Sequence, residues 1–96
     1  MQKKAVVITT NDSIATATTN LKAGEIVKMF FGEEVLEIEV IKDIPFGHKF
    51  AIKNINLGDQ ILKYGESIGS AICNISIGDH VHVHNVQSER GRGDRG

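Results

Sequence analysis

Three of the four histidines fall in Gly78-Asp79-His80-Val81-His82-Val83-His84-Asn85. Side chains alternate between the faces of a strand, so a strand over Val81–His84 sets His80, His82 and His84 in one row. Val81 and Val83 then turn to the core. Neighbours two positions apart lie roughly 7 Å apart along the backbone, within reach of one divalent ion. The outer pair lies about twice that distance apart, so at most two of the three can share an ion and the third backs them or touches substrate. Asn85 can hydrogen-bond a hydroxyl or carboxylate. No carboxylate lies on that face, so a complete site needs ligands from elsewhere in this chain or from another. The competing reading is a solvated polar face. The fourth histidine stands in Pro45-Phe46-Gly47-His48-Lys49-Phe50-Ala51. A neutral imidazole beside an ammonium suits acid–base work or the binding of an oxyanion. Lys63-Tyr64-Gly65 sets a second cation and a phenol before a glycine turn. For these two motifs the alternatives are an exposed polar corner and an ordinary strand end.

These motifs hang on a repeated frame. The pattern Ala-x-x-Asn-(Leu/Ile)-x-x-Gly-(Asp/Glu)-x-(Val/Ile) begins at Ala17, again at Ala51 and again at Ala71. In each copy the Ala opens a tight turn, the Leu or Ile plugs the core, and the Gly permits a left-handed backbone before a strand starts. The copies are unevenly spaced, which excludes a solenoid of fixed period. They fit an all-β domain of short strands with turn-rich connections. Strands are expected at Ala5–Ile8, Ile26–Phe31, Leu36–Ile41, Ile61–Tyr64 and Val81–His84, with a hairpin turn at Gly32-Glu33 and a corner at Ile44–Gly47. Glu33, Glu34, Glu37 and Glu39 read as a solvated face. No stretch keeps a helical period.

The chain has 96 residues, with eleven Lys and Arg against twelve Asp and Glu, for a net charge of -1. That length holds one domain with a modest core and disfavours a self-sufficient enzyme. The balanced charge provides no field for nucleic acid or an anionic membrane. One cysteine, Cys73, excludes an internal disulfide and a cysteine-based zinc site. The apolar run after Lys3 and Lys4 is too short for a secretory leader, and no run approaches a membrane span. The chain reads as cytoplasmic. Residues 1–87 form the domain and 88–96, without an apolar residue, a flexible tail. Arg90 and Arg92 in that tail can grip an acidic partner surface.

Gly47-His48-Lys49-Phe50-Ala51, Lys63-Tyr64-Gly65, Ile68-Gly69 and Gly78 through Asn85 resemble, in order and spacing, the N-terminal SAF-type domain of altronate and galactarate dehydratases. Asn11-Asp12-Ser13-Ile14-Ala15-Thr16-Ala17 resembles an early motif of the same family. The resemblance implies a β-clip fold and a lyase that removes water from a sugar acid to leave a 2-keto-3-deoxy acid. In that family the domain is either fused ahead of a large catalytic domain or made as a separate small subunit. The resemblance implies the separate form here, with iron or manganese held mainly by the large partner. By this likeness His48, His82 and His84 are the catalytic candidates, and His82 and His84 the metal pair. Lys49, Lys63, Tyr64 and Asn85 are the substrate contacts. His80 matches the motif less decisively. Related two-subunit enzymes eliminate sulfite from sulfolactate instead. A free-standing module binding carbohydrate or carboxylate, a small metal protein using His82 and His84 unaided, and a homo-oligomer are the further possibilities.

Overall fold

Alternating burial along short strands organises the chain around two apolar clusters. The computed structural model describes residues 4–7 and 9–87, and all its regular elements are strands. They are β1 Ala5–Val6, β2 Ile14–Ala17, β3 Ile26–Phe31, β4 Glu34–Glu39, β5 Lys49–Ala51, β6 Gln60–Lys63, β7 Glu66–Ala71, β8 His80–Val81 and β9 Val86–Gln87. Three antiparallel sheets result, ordered β1-β2-β5-β8, β3-β4 and β6-β7-β9. Strands β2 and β5 run between the clusters. Ala15 and Phe50 face each other across the pair and join one cluster with Leu21, Val27, Met29, Ile38, Val40 and Ile44. Their neighbours Ile14 and Ala51 face the other side and join Ile55, Ile61, Ala71, Ile75 and Val81. The two-residue period of a strand thus serves both cores at once.

The repeat is the frame, and it has four copies rather than three. Val40-x-x-Asp43-Ile44-x-x-Gly47-His48-x-Phe50 takes the same conformation, with φ of 84° at Gly47 against 89–92° at Gly24, Gly58 and Gly78. The copies clasp in two reciprocal pairs. Leu21 bridges Ile44, and Ile55 bridges Ile75. In the first pair the Gly24 N–H donates to the Val40 carbonyl and the Gly47 N–H to that of Ala17; in the second, Gly58 donates to Ala71 and Gly78 to Ala51. The polar residue of each copy accepts a backbone N–H from its mate. Asn20 accepts from Phe46, Asp43 from Ala23, Asn54 from Ile77 and Asn74 from Leu57. Buried Leu21, Ile44, Ile55 and Ile75 plug the two clusters between the loops.

Several sequence expectations shift by a few residues. The first strand is Ala5–Val6, and Ile8 lies outside the described residues. The strand expected at Leu36–Ile41 runs from Glu34 to Glu39, with Glu34, Glu37 and Glu39 exposed. Ile26–Phe31 is a strand as expected, joined to β4 across Gly32-Glu33. Strands β2, β5, β7 and β9 carry no strong apolar alternation and are not among the five expected. The tail at 88–96, with Arg90 and Arg92, lies outside the described residues.

Candidate active site

The strand expected at Val81–His84 stops at Val81. Residues 82–85 form a turn closed by the Asn85 N–H on the His82 carbonyl at 3.0 Å. The Asn85 side chain accounts for the stop. Its Oδ1 accepts the His82 N–H at 2.9 Å, and its Nδ2 donates to the His80 carbonyl at 2.8 Å. An asparagine bonding backbone three residues away offers the chain an alternative to a ladder. Val83, expected in the core, is therefore turned out and 77% exposed. The substrate contact expected of Asn85 does not fit this arrangement, since its side chain is 2% exposed and both its polar ends hold backbone.

The turn replaces a row of three imidazoles with a cluster that includes His48. Pairing of β5 with β8 sets Phe50 opposite His80 and Lys49 opposite Val81, which brings His48 alongside. One ring nitrogen donates to the other between His48 Nδ1 and His80 Nε2, at 2.9 Å. The His82 ring stacks 4.7 Å from that of His48 and 5.4 Å from that of His80. The donor atoms that converge among the described residues are those of His48, His80 and His82, all within 4.8 Å of one another, whereas the expected metal pair was His82 and His84. His84 lies at the edge, its ring 5.5 Å from that of His80 and tilted by 37°. Burial holds the His80 imidazole below its ordinary pKa, and the neighbouring rings of His48, His82 and His84 act in the same direction against Asp79.

Lys49 links this cluster to a basic depression. It lines a 270 Å³ cleft with Ile68, Val81, His82, Val83 and Val86. It also lines an adjoining 410 Å³ hollow with Lys63, Tyr64, Glu66, Ser67 and Ile68. Burial, and then the charge of Lys63, lower the pKa of the Lys49 ammonium. The Lys63 Nζ lies 4.8 Å from the centre of the Tyr64 ring. Lys49, Lys63 and Tyr64 thus line one hollow, and Lys49 joins it to the cleft beside His82.

Sequence reasoning missed Asp12 as a contributor to this site. Tyr64 and Gly65 form the two-residue loop between β6 and β7, and both have positive φ, 57° and 77°. That is the geometry of a tight hairpin turn, unusual for tyrosine. Asp12, 1% exposed, pins it: Oδ1 accepts the Gly65 N–H at 2.9 Å and the Thr9 hydroxyl at 2.8 Å. Burial alone would raise the Asp12 pKa, but these bonds outweigh it and hold the carboxyl below its usual value. The signal available in the sequence was a lone acid between Asn11 and Ser13, ahead of an apolar strand. The other omission, the fourth copy of the repeat, was legible as Asp43 and His48 at the places of Asn and acid.

An all-strand domain with this set of residues belongs to the altronate/galactarate dehydratase SAF domain family, whose model matches residues 3–89. The chain is 38% identical over 86 residues to an altronate dehydratase of Bacillus subtilis, covering 90% of this chain and 16% of that protein. It is 35% identical over 77 residues to an altronate dehydratase of Escherichia coli, covering 80% of this chain and 15% of that protein. To the (2R)-sulfolactate sulfo-lyase subunit alpha of Paracoccus pantotrophus it is 46% identical over 48 residues, 50% of this chain and 72% of that subunit. By name the relatives are dehydratases and a sulfo-lyase subunit, and the chain spans a small part of the dehydratases. Among the described residues no helix is long and apolar enough to cross a membrane.

Proposed function

We propose that this domain is the small component of a two-component sugar-acid dehydratase of the altronate/galactarate type, lending side chains to a site that a large catalytic polypeptide completes. The observation that carries the reading is a pair of ammonium groups running into a group of imidazoles on one open surface. Loss of water from a hydroxy acid needs the proton next to the carboxylate removed and the neighbouring hydroxyl protonated as it leaves. Lys49 and Lys63 hold the carboxylate and offset the charge that grows on it as the proton departs. Tyr64 offers its phenol to a hydroxyl of the sugar chain. One imidazole among those of His48, His82 and His84 takes the proton next to the carboxylate and delivers it to the departing hydroxyl. The iron or manganese expected for such an enzyme, held mainly by the large polypeptide, would polarise the carboxylate or hydroxyl, and imidazole donors suit iron better than manganese. The name "subunit alpha" borne by a relative supports a partner.

The same relative favours a second reading, elimination of sulfite from a sulfonated hydroxy acid. Sulfite departs as an anion and needs no proton, so the two readings differ in their demand for an imidazole acid. The experiment is to purify the chain alone and together with its large dehydratase polypeptide, then supply altronate, galactarate and sulfolactate. The complex should form keto-deoxy acid while the chain alone stays inactive. Lys63→Ala should raise KM by about 10- to 100-fold, the loss of one charged hydrogen bond. Turnover by the chain alone, or a complex inactive on both sugar acids, overturns the proposal. Sulfite release would move the assignment to the sulfo-lyase, and sugar-acid binding without turnover to a binding module.

A further inference from the structure

The acidic place in the repeat has one exception, and it lies in the imidazole cluster. In two copies the acid caps its own turn: Glu25 Oε1 accepts the Lys22 N–H at 3.1 Å, and Asp59 Oδ2 accepts that of Asn56 at 3.0 Å. His48 holds the same place in the fourth copy, and its Nδ1 faces His80 instead. Its separation from His80 Nε2 is 2.9 Å. Two imidazole nitrogens on one tetrahedral ion, each at roughly 2.0–2.1 Å, sit about 3.3 Å apart. One pair of donors is thus already near coordination spacing, and the third lies within 4.8 Å of both. The backbone that carries two of the three is held by one buried amide, that of Asn85.

We propose that His48, His80 and His82 form a divalent transition-metal site that belongs to this domain alone. This goes beyond the dehydratase reading, in which the large polypeptide holds most of the metal. The site stands whether or not that reading does, and where it is loaded His84, outside the converging set, is the imidazole left to carry the proton. Three imidazoles with no carboxylate select zinc, nickel, copper, cobalt or iron over magnesium and calcium. His82 is exposed, so the remaining coordination positions face solvent, where water, a substrate oxygen or a partner ligand can enter. The rings of His80 and His82 lie only 10° from parallel, and those of His48 and His82 27°. An ion must lie in the plane of every ring that binds it. Loading therefore turns the rings about χ2, a soft torsion in histidine, and replaces the His48–His80 hydrogen bond. His84, outside the converging set, is not a ligand.

The test uses the untagged full chain, stripped with chelator and titrated with zinc and, separately, cobalt. Calorimetry gives stoichiometry and affinity, and the visible bands of cobalt report coordination. The expected result is one ion per chain, with tetrahedral cobalt bands. His48→Gln and His82→Gln should each weaken binding by at least about 10- to 100-fold, the loss that mere supporting residues already cause. His84→Gln should leave affinity within a factor of about two, below the size of one coordination bond. Circular dichroism of each variant checks that it is folded. Where a glutamine variant fails to fold, broadening of the imidazole resonances by cobalt in the unmodified chain identifies the ligands directly. No binding, or binding that survives His48→Gln and is lost in His84→Gln, overturns the proposal. A negative metal result with an active complex separates its failure from that of the dehydratase reading.

Discussion

Replacing Gly78 with alanine should cost far more stability than replacing Gly58, although both stand at the same place in the repeat. Their φ angles are 89° and 91°, so the penalty for a side chain in left-handed backbone is shared. That penalty is about 1–2 kcal/mol, part of which the stiffer unfolded chain offsets. Around Gly58 an added Cβ meets nothing within 4 Å. At Gly78 it would lie 2.1 Å from the Glu39 carbonyl oxygen and 3.2 Å from Val40 Cα. An ordinary carbon–oxygen contact is about 3.3 Å or more, so two backbones must part by about 1.2 Å.

Neither backbone is free to give way. The Gly78 N–H bonds the Ala51 carbonyl, its own carbonyl accepts the Ile41 N–H, and the Val40 carbonyl accepts the Gly24 N–H. Val40 is fully buried. Overpacking costs about 1–3 kcal/mol and the lost Ile41 hydrogen bond about 1 kcal/mol more. Gly78→Ala should therefore lose about 4 kcal/mol and Gly58→Ala about 1 kcal/mol. With a urea slope of about 1.5 kcal/mol/M, the midpoints should differ by about 2 M, read by far-ultraviolet circular dichroism. Because Gly78 precedes the strand carrying His80, the damaged variant should also lose metal affinity. Midpoints within about 0.5 M of each other, or a Gly78 variant more stable than its Gly58 counterpart, would refute the close approach.

Other changes test the site's supports. Asp12→Ala strips acceptors from Gly65 and Thr9 and should cost about 3 kcal/mol, with Asp12→Asn losing less; amide exchange at Gly65 should quicken in both. Equal, small losses in the two variants would show that the carboxylate does not pin the hairpin. Asn85→Ala leaves the His82 N–H and His80 carbonyl without their partner and should cost about 2–4 kcal/mol, measured by urea unfolding, while weakening zinc binding. The folded pKa of Asp12 lies below its unfolded value of about 3.9, so its stabilisation is full above that value. It is lost as pH falls through the folded pKa, and Asp12→Asn should flatten that acid limb in pH-dependent unfolding. His80, also lowered, adds a second limb: the unfolded chain binds the proton first, so stability falls as pH drops below roughly 6.5 toward the folded pKa. His80→Gln should remove it.

The strand content, the apolar plugs and the loop copies were legible from local pattern, the fourth copy only once Asp43 and His48 are read in the places of Asn and acid. Each depends on residues close in sequence: a glycine at a left-handed position, a β-branched residue after it, an apolar residue three before it. Ile26–Phe31 emerges in the structure with its ends unchanged because its apolar and aromatic residues form an isolated hairpin with β4. Strands β2 and β7 were less legible, since Ile14–Ala17 is buried between two clusters and Glu66–Ala71 mixes small and polar residues. Neither displays the alternation that a half-buried strand shows.

The sequence by itself determined which chemistry is present: four imidazoles, the ammoniums of Lys49 and Lys63, the phenol of Tyr64, and a frame of left-handed glycines to carry them. What only the tertiary structure decided is which of them meet. A strand rule applied to His80 through His84 gave a row, but the single amide of Asn85 bends the chain into a turn and sends Val83 outward. His48, 32 positions before His80, then takes the place in the cluster that His84 does not. Local periodicity could not foresee either outcome. The first depends on one side chain competing with a ladder for backbone partners, and the second on β5 pairing with β8 across the fold.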